Sequence, residues 1–317
     1  MSEAVTFSEV WYKDCFYHAL FSAIMTLGEN HETMQVYDFY KYSLSPNGVL
    51  SYKQCKELRV EEGLARIGVE ISTCKPKEQI SRSLKNWLDE GCLIIVNVDR
   101  NVLEPQVNNI DVACHSVLVY GYDENDFLIM ENRYVNSNLF EKKVIDADLL
   151  SKAYLSFIDI LKHFKYGAYV ISKRCAIENT PDLRQLMFDC ISSNYEERKK
   201  SIESLQQYVE VINQRIRTES ALNEYGNEIM KCMNDVIVNK NVEEYSIRSV
   251  LGTQPFSNTL GTIIEKWKLC RTLIYKYQLL NRFSISDMEK VTKILHEIII
   301  EENKFVLELE AYLCNRK

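Results

Sequence analysis

Glycine and proline are scarce, 10 and 5 in a chain of 317 residues, where average usage would supply roughly 22 and 16. So few turn formers leave little material for an all-β sandwich or barrel, and long helices are expected instead. Basic charge is not in excess. Lys and Arg number 38 against 45 Asp and Glu, a net charge of −7, the wrong sign for a protein held to nucleic acid by phosphate contacts. Long apolar runs are missing too: the longest, residues 92–98 and 19–27, fall well short of the roughly 20 residues a membrane helix needs. Ten cysteines at about 3% are too sparse for a disulfide scaffold. None forms a CxxC pair, which excludes a zinc ribbon or a thioredoxin-like motif. GxGxxG, P-loop and HExxH patterns are also absent, so no cofactor and no metal are expected. Met1-Ser2-Glu3-Ala4 has neither the basic and apolar regions of a secretion signal nor a glycine for myristoylation. The expectation is a reduced, cytoplasmic protein without nucleic-acid or membrane partners.

What is present divides the chain in two. Phe16, Ala19, Leu20, Ala23, Ile24 and Leu27 follow helical spacing, with Gly28 beyond the end. Helices are also predicted over 54–66 and 76–89, with a short strand at 69–71 between them. Residues 92–98 (CLIIVNV) are almost wholly apolar, as a strand buried on both faces would be. The runs 115–122 and 127–131, split by the polar stretch 123–126, read as a hairpin. Strands over 140–145 and 166–172 complete an antiparallel sheet. Beyond residue 177 the pattern turns helical, with helices predicted over 194–220, 221–239, 256–281 and 284–314. Ser284 and Ser286 are candidate N-caps for the last of these. The expected organisation is α+β: an N-terminal helix plus antiparallel sheet over residues 1–178, then an all-α domain over 179–317. Neither repeats nor low-complexity tracts interrupt it.

The chemistry-bearing residues begin with Cys15. It opens the first helix, where the macrodipole and unpaired N–H groups favour the thiolate, the nucleophilic form. An inert core cysteine is the ordinary alternative, since free cysteine is among the most buried residue types. His115 heads the strand HSVLVYGYD a hundred residues later. A cysteine nucleophile needs a base within hydrogen-bond reach, and the base needs an orienting acceptor. The returning hairpin strand carries two candidates for that acceptor, Glu131 and Asn132.

This order resembles the papain-like cysteine protease fold, and within it the bacteriocin-leader-processing peptidases and the butirosin biosynthesis protein H family. The motifs carrying the resemblance are Cys15 at the helix start, His115-Ser116-Val117-Leu118-Val119-Tyr120-Gly121-Tyr122-Asp123, and an acidic or amide residue 16 to 17 positions after the histidine. It covers roughly residues 8–175. The resemblance implies a catalytic triad of Cys15, His115 and Glu131, with Asn132 as the alternative third member. Glutamate is one methylene longer than the usual Asp. The oxyanion region would comprise the Cys15 N–H and position 9, where papain-like enzymes place a glutamine and this sequence has Glu9. A carboxylate there donates nothing unless protonated. A helical domain after the catalytic one is the butirosin-type layout.

For those relatives the implied activity is amide synthesis: Cys15 takes an acyl group from a phosphopantetheine thioester on a carrier protein and passes it to an amine in natural-product, antibiotic-type assembly. A papain-like peptidase, amidase or thioesterase with the same residues is the first alternative, and a catalytically inactive scaffold the second. His18 shares a helix face with Cys15 and is a lesser candidate base. Cys114 is expected on the opposite strand face from His115, and Trp11 in the core or lining an acyl pocket. Tyr37, Tyr40, Tyr42 and Tyr52 mark a possible aromatic pocket or core. Basic spots such as Arg198-Lys199-Lys200 are candidate docking points for an acidic carrier, against the default of a solvated helix face.

Overall fold

A computed structural model describes residues 6, 13–56, 59–76, 79–104, 114–132, 140–160, 166–174, 182–280 and 282–316. The chain folds as two compact units: Met1–Met34 with Arg59–Thr180, and Gln35–Leu58 with Pro181–Lys317.

The first unit opens with α1 (Cys15–Thr26), whose N-cap Asp14 accepts a hydrogen bond from the Tyr17 N–H. Its apolar stripe of Ala19, Leu20, Ala23 and Ile24 is fully buried. Gly28, at φ +79°, ends it by turning the chain so that its own N–H reaches the Met25 carbonyl and the Glu29 N–H reaches Ile24. Only glycine adopts that left-handed geometry freely.

In the sheet that follows every neighbouring pair runs antiparallel. Its strands are β3 (Val69–Cys74), β4 (Leu93–Asp99), β5 (Cys114–Asp123), β6 (Asp126–Asn132), β7 (Phe140–Asp146) and β8 (Ala168–Lys173), in the order β3-β8-β4-β5-β6-β7. The strand β4 lies between β8 and β5, and all seven of its residues are buried. Interior strands have no solvated face to favour alternation, which is why CLIIVNV is nearly all apolar. On one side Val96, Val98, Val117 and Val119 meet Leu84 of helix α3 (Ile80–Asp89) and Leu150, Ala153, Tyr154 and Phe157 of a long helix over Ala147–Ile160. The Val, Leu and Phe side chains among these each contribute about 1.5–3 kcal/mol on burial. The segment between β4 and β5 begins with a single helical turn, α4 (Arg100–Leu103), capped by the Asp99 carboxylate through the Asn101 N–H. The short α2 (Val60–Ala65) precedes β3, and the long helix over Ala147–Ile160 is α5.

Gly167, just before β8, lies against the buried Tyr154 ring; a Cβ there would stand 2.7 Å from the Tyr154 hydroxyl and 2.8 Å from a ring carbon. Gly167→Ala is expected to overpack this site and to destabilise the unit by about 1–3 kcal/mol. A denaturation midpoint equal to the parent's would show that the ring yields.

Among the described residues the second unit contains four long helices, α6 (Leu183–Arg215), α7 (Glu219–Leu251), α8 (Pro255–Leu280) and α9 (Ile285–Cys314). It also holds an antiparallel hairpin, β1 (Tyr40–Leu44) with β2 (Leu50–Gln54). Tyr42 and Tyr52 pair across that hairpin and are buried, so the tyrosine cluster is core. Ser284 caps α9 by accepting from the Asp287 N–H at 3.2 Å.

The mixed, antiparallel first part and the helical C-terminal region match the α+β expectation. Several local expectations are corrected. The segment 35–58, expected in the first domain, belongs to the helical unit. The helix predicted over 54–66 shrinks to α2, because Gln54 ends a strand whose alternation of Leu50 and Tyr52 serves the hairpin. Pro76 lies ahead of α3, not in its first turn. Helix α5 was unforeseen, although Leu150, Ala153, Tyr154, Phe157 and Ile158 carry full helical spacing. Helix α6 begins at Leu183, eleven residues before the predicted 194, because Asp182 caps it through the Arg184 and Gln185 N–H groups. No described helix is long and apolar enough to cross a membrane.

Candidate active site

The site is built within the first unit from the start of α1, the head of β5 and the end of β6. Helix α1 begins at Cys15 because Asp14 caps it. The Asp14 carboxylate takes the N–H groups of Tyr17 and Phe16, and its carbonyl takes that of His18 at 3.2 Å.

His115 is 5% exposed, and its Nε2 lies 3.0 Å from Glu131 Oε2, itself on a residue only 3% exposed. The pairing of β5 with β6 explains this contact. Leu118 stands opposite Met130, so the ladder carries Glu131 back alongside the first residues of β5. With Nε2 occupied by Glu131, Nδ1 is the ring nitrogen left for the Cys15 thiol, which hydrogen-bonds to His115 and also to the backbone N–H of Ser116.

The charge states follow from these contacts. Burial pushes the Cys15 thiol up, but the hydrogen bond and charge of His115 outweigh it and hold the thiol below its ordinary value. Burial favours neutral His115, yet its bonds to Cys15 and Glu131 overcome that and raise it to about 9. Burial likewise raises Glu131, while His115 and Lys143 pull it below the usual carboxylate range. These shifts favour the thiolate–imidazolium form of the Cys15–His115 pair and the ionised form of Glu131.

Three further groups continue the row. Lys143 Nζ lies 2.5 Å from Glu131 Oε1 and 3.0 Å from Glu104 Oε1, and Arg100 Nε lies 3.1 Å from Glu104 Oε2. None of these three residues was singled out in the sequence. The detectable signal is cross-strand: Glu131 stands opposite Glu141 and Ile129 opposite Lys143, so Lys143 lies diagonally from Glu131 on the same face. Reading it requires the β6–β7 register.

The other predicted positions are distributed as follows. Asn132 pairs with Phe140 at the end of the β6–β7 ladder, and its side chain lies outside the described residues. Glu9 and Trp11 also lie outside them. His18 is buried in α1, and burial lowers it to about 4, so it is neutral at pH 7. Cys114 heads β5, where burial pushes its thiol up to about 11, the opposite of Cys15. Arg198 of the basic spots is fully buried inside the second unit and offers nothing for docking. Among the described residues no three His, Cys, Asp or Glu side chains are grouped to hold a metal ion.

Chemically, such an arrangement places a thiol favoured toward its nucleophilic form beside an imidazole that can give or take a proton, with a carboxylate holding the ring. No protein-family model matches this sequence, and no curated protein matches it.

Proposed function

We propose that the protein is a papain-like, cysteine-dependent acyltransferase that forms an amide from a carrier-protein thioester and an amine. The observation that supports this is the convergence of Cys15, His115 and Glu131, with a lowered thiol and a raised imidazole. The Cys15 thiolate attacks the thioester carbonyl, and the carrier thiol leaves with the proton held by His115. An amine then attacks the acyl-enzyme, His115 accepts its proton, and Cys15 departs as the leaving group. Glu131 holds Nε2–H, so that Nδ1 faces the sulfur in both steps. Thioester aminolysis runs downhill without ATP, so the two half-reactions need no cofactor. The choice of a thioester donor and an amine acceptor rests on the likeness to butirosin-type enzymes. The triad alone serves hydrolysis equally well.

The test is incubation of the purified chain with a phosphopantetheine-carried acyl thioester, with and without an amine. Amide product is expected. Free acid in the presence of amine replaces this reading by a hydrolase, and absence of a Cys15 adduct replaces it by a binding role. Cys15→Ala is expected to abolish acyl loading seen by intact-protein mass spectrometry, whereas Cys114→Ala retains most of it, because the Cys15 thiol is lowered and the Cys114 thiol raised. An adduct persisting on Cys15→Ala overturns the assignment of the nucleophile.

A further inference from the structure

We propose that Lys143 is a positioning residue of the cysteine site, acting through Glu131 and anchored in turn by Glu104. This rests on Cys15 being the nucleophile. The geometry carries it. Glu131 uses one oxygen for His115 Nε2 at 3.0 Å and the other for Lys143 Nζ at 2.5 Å. A glutamate side chain has one more rotatable bond than aspartate, so a carboxylate bound on one oxygen alone could swing away from the imidazole. A donor on the second oxygen removes that freedom, which gives the longer acid a defined position at the third site. Lys143 is itself held from two sides, by Glu104 Oε1 at 3.0 Å and Glu141 Oε2 at 3.6 Å, and Glu104 is fixed by Arg100.

From Glu131 outward the side chains alternate in charge type: Glu131, Lys143, Glu104, Arg100. Lys143 is the cation on the outer oxygen of a carboxylate whose residue is 3% exposed, beside a His115 that is 5% exposed. Losing Lys143 frees Glu131 to leave His115, and an imidazolium without that carboxylate is a weaker partner for the Cys15 thiolate. Besides His115, the groups acting on Cys15 are Asp14 and the Ser116 N–H, and Cys114 heads the same strand as His115; none of these three touches Lys143.

The experiment measures alkylation of Cys15 by iodoacetamide against pH, read at the Cys15 peptide by mass spectrometry because other cysteines are free. The parent, Lys143→Met, Lys143→Arg and Glu104→Gln chains are compared, each with its melting curve. In Lys143→Met the acid limb is expected to move up by about one pH unit, so alkylation below the limb falls about tenfold. Acyl loading is expected to slow in parallel. Lys143→Arg is expected to restore both, and Glu104→Gln to produce a smaller shift of the same sign. An unchanged limb in Lys143→Met, or an equal loss in Lys143→Arg, overturns the proposal; a shift that merely follows a lowered melting point does so too. If parent Cys15 shows no low-pH reactivity at all, it is the nucleophile assignment that fails, so the two failures are distinct.

Discussion

Glu131→Ala is expected to lower single-turnover acyl loading of Cys15 by about 10²- to 10⁴-fold, the upper figure being the loss seen when a triad carboxylate is replaced by its neutral amide. The substitution acts twice. It removes the acceptor at 3.0 Å from His115 Nε2, so the ring loses the tautomer and orientation that point Nδ1 at the sulfur. It also removes the negative charge that helps raise His115 to about 9, so less imidazolium is present to protonate the departing thiol. Asn132→Ala is expected to cost far less. The measurement is the loading rate at saturating acyl donor for both variants. Equal, small losses in the two would show that another group orients His115.

The largest stability effect is expected in the helical unit, where Glu302→Ala should destabilise by about 3–5 kcal/mol. Glu302 is fully buried and binds Arg198 Nη2 at 2.7 Å, Lys240 Nζ at 2.5 Å and the Tyr42 hydroxyl at 2.6 Å. These residues come from α6, α7, α9 and β1, so one carboxylate ties the hairpin to three helices. Tyr52 adds a hydrogen bond to Glu243, and the Tyr42, Tyr52 and Phe305 rings face the Arg198 guanidinium at 4.9–5.3 Å. Removing Glu302 strands two buried cations. Lys240, lowered to about 8 by burial, can shed its proton when its carboxylate partner is gone. Arg198 cannot, so it dominates the cost. Chemical denaturation reads the effect, and the combined variant Arg198→Met, Lys240→Met, Glu302→Leu is expected to recover much of the loss, because an apolar replacement of similar volume avoids desolvating charge. A loss under about 1 kcal/mol for Glu302→Ala would mean that water reaches the cluster.

What could be read directly from the residues was local or periodic. Helix α1 was legible from its spacing and from Gly28, the β5–β6 hairpin from two β-rich runs around a polar break, and β4 from its unbroken apolar run. The helical C-terminal region was legible from scarcity of proline and sustained 3.6-residue periodicity. Cys15 and His115 were legible as chemical types in meaningful local settings, and Glu131 as a spacing along a hairpin.

Tertiary structure decided the rest, because it depends on contacts between residues far apart in sequence. The hairpin of β1 and β2 joins the helical unit because Tyr52 lies within hydrogen-bond reach of Lys240, 188 residues away; no local pattern encodes that partner. Arg198 reads as a solvated basic residue in a run of three, yet its charge is buried opposite Glu302, 104 residues on. Lys143 looks like one of two exposed lysines in a strand, and only the register between β6 and β7 places it on Glu131. Periodicity states which face of an element is buried. Which charges meet there is set by strand register and helix packing, and those are properties of the folded chain alone.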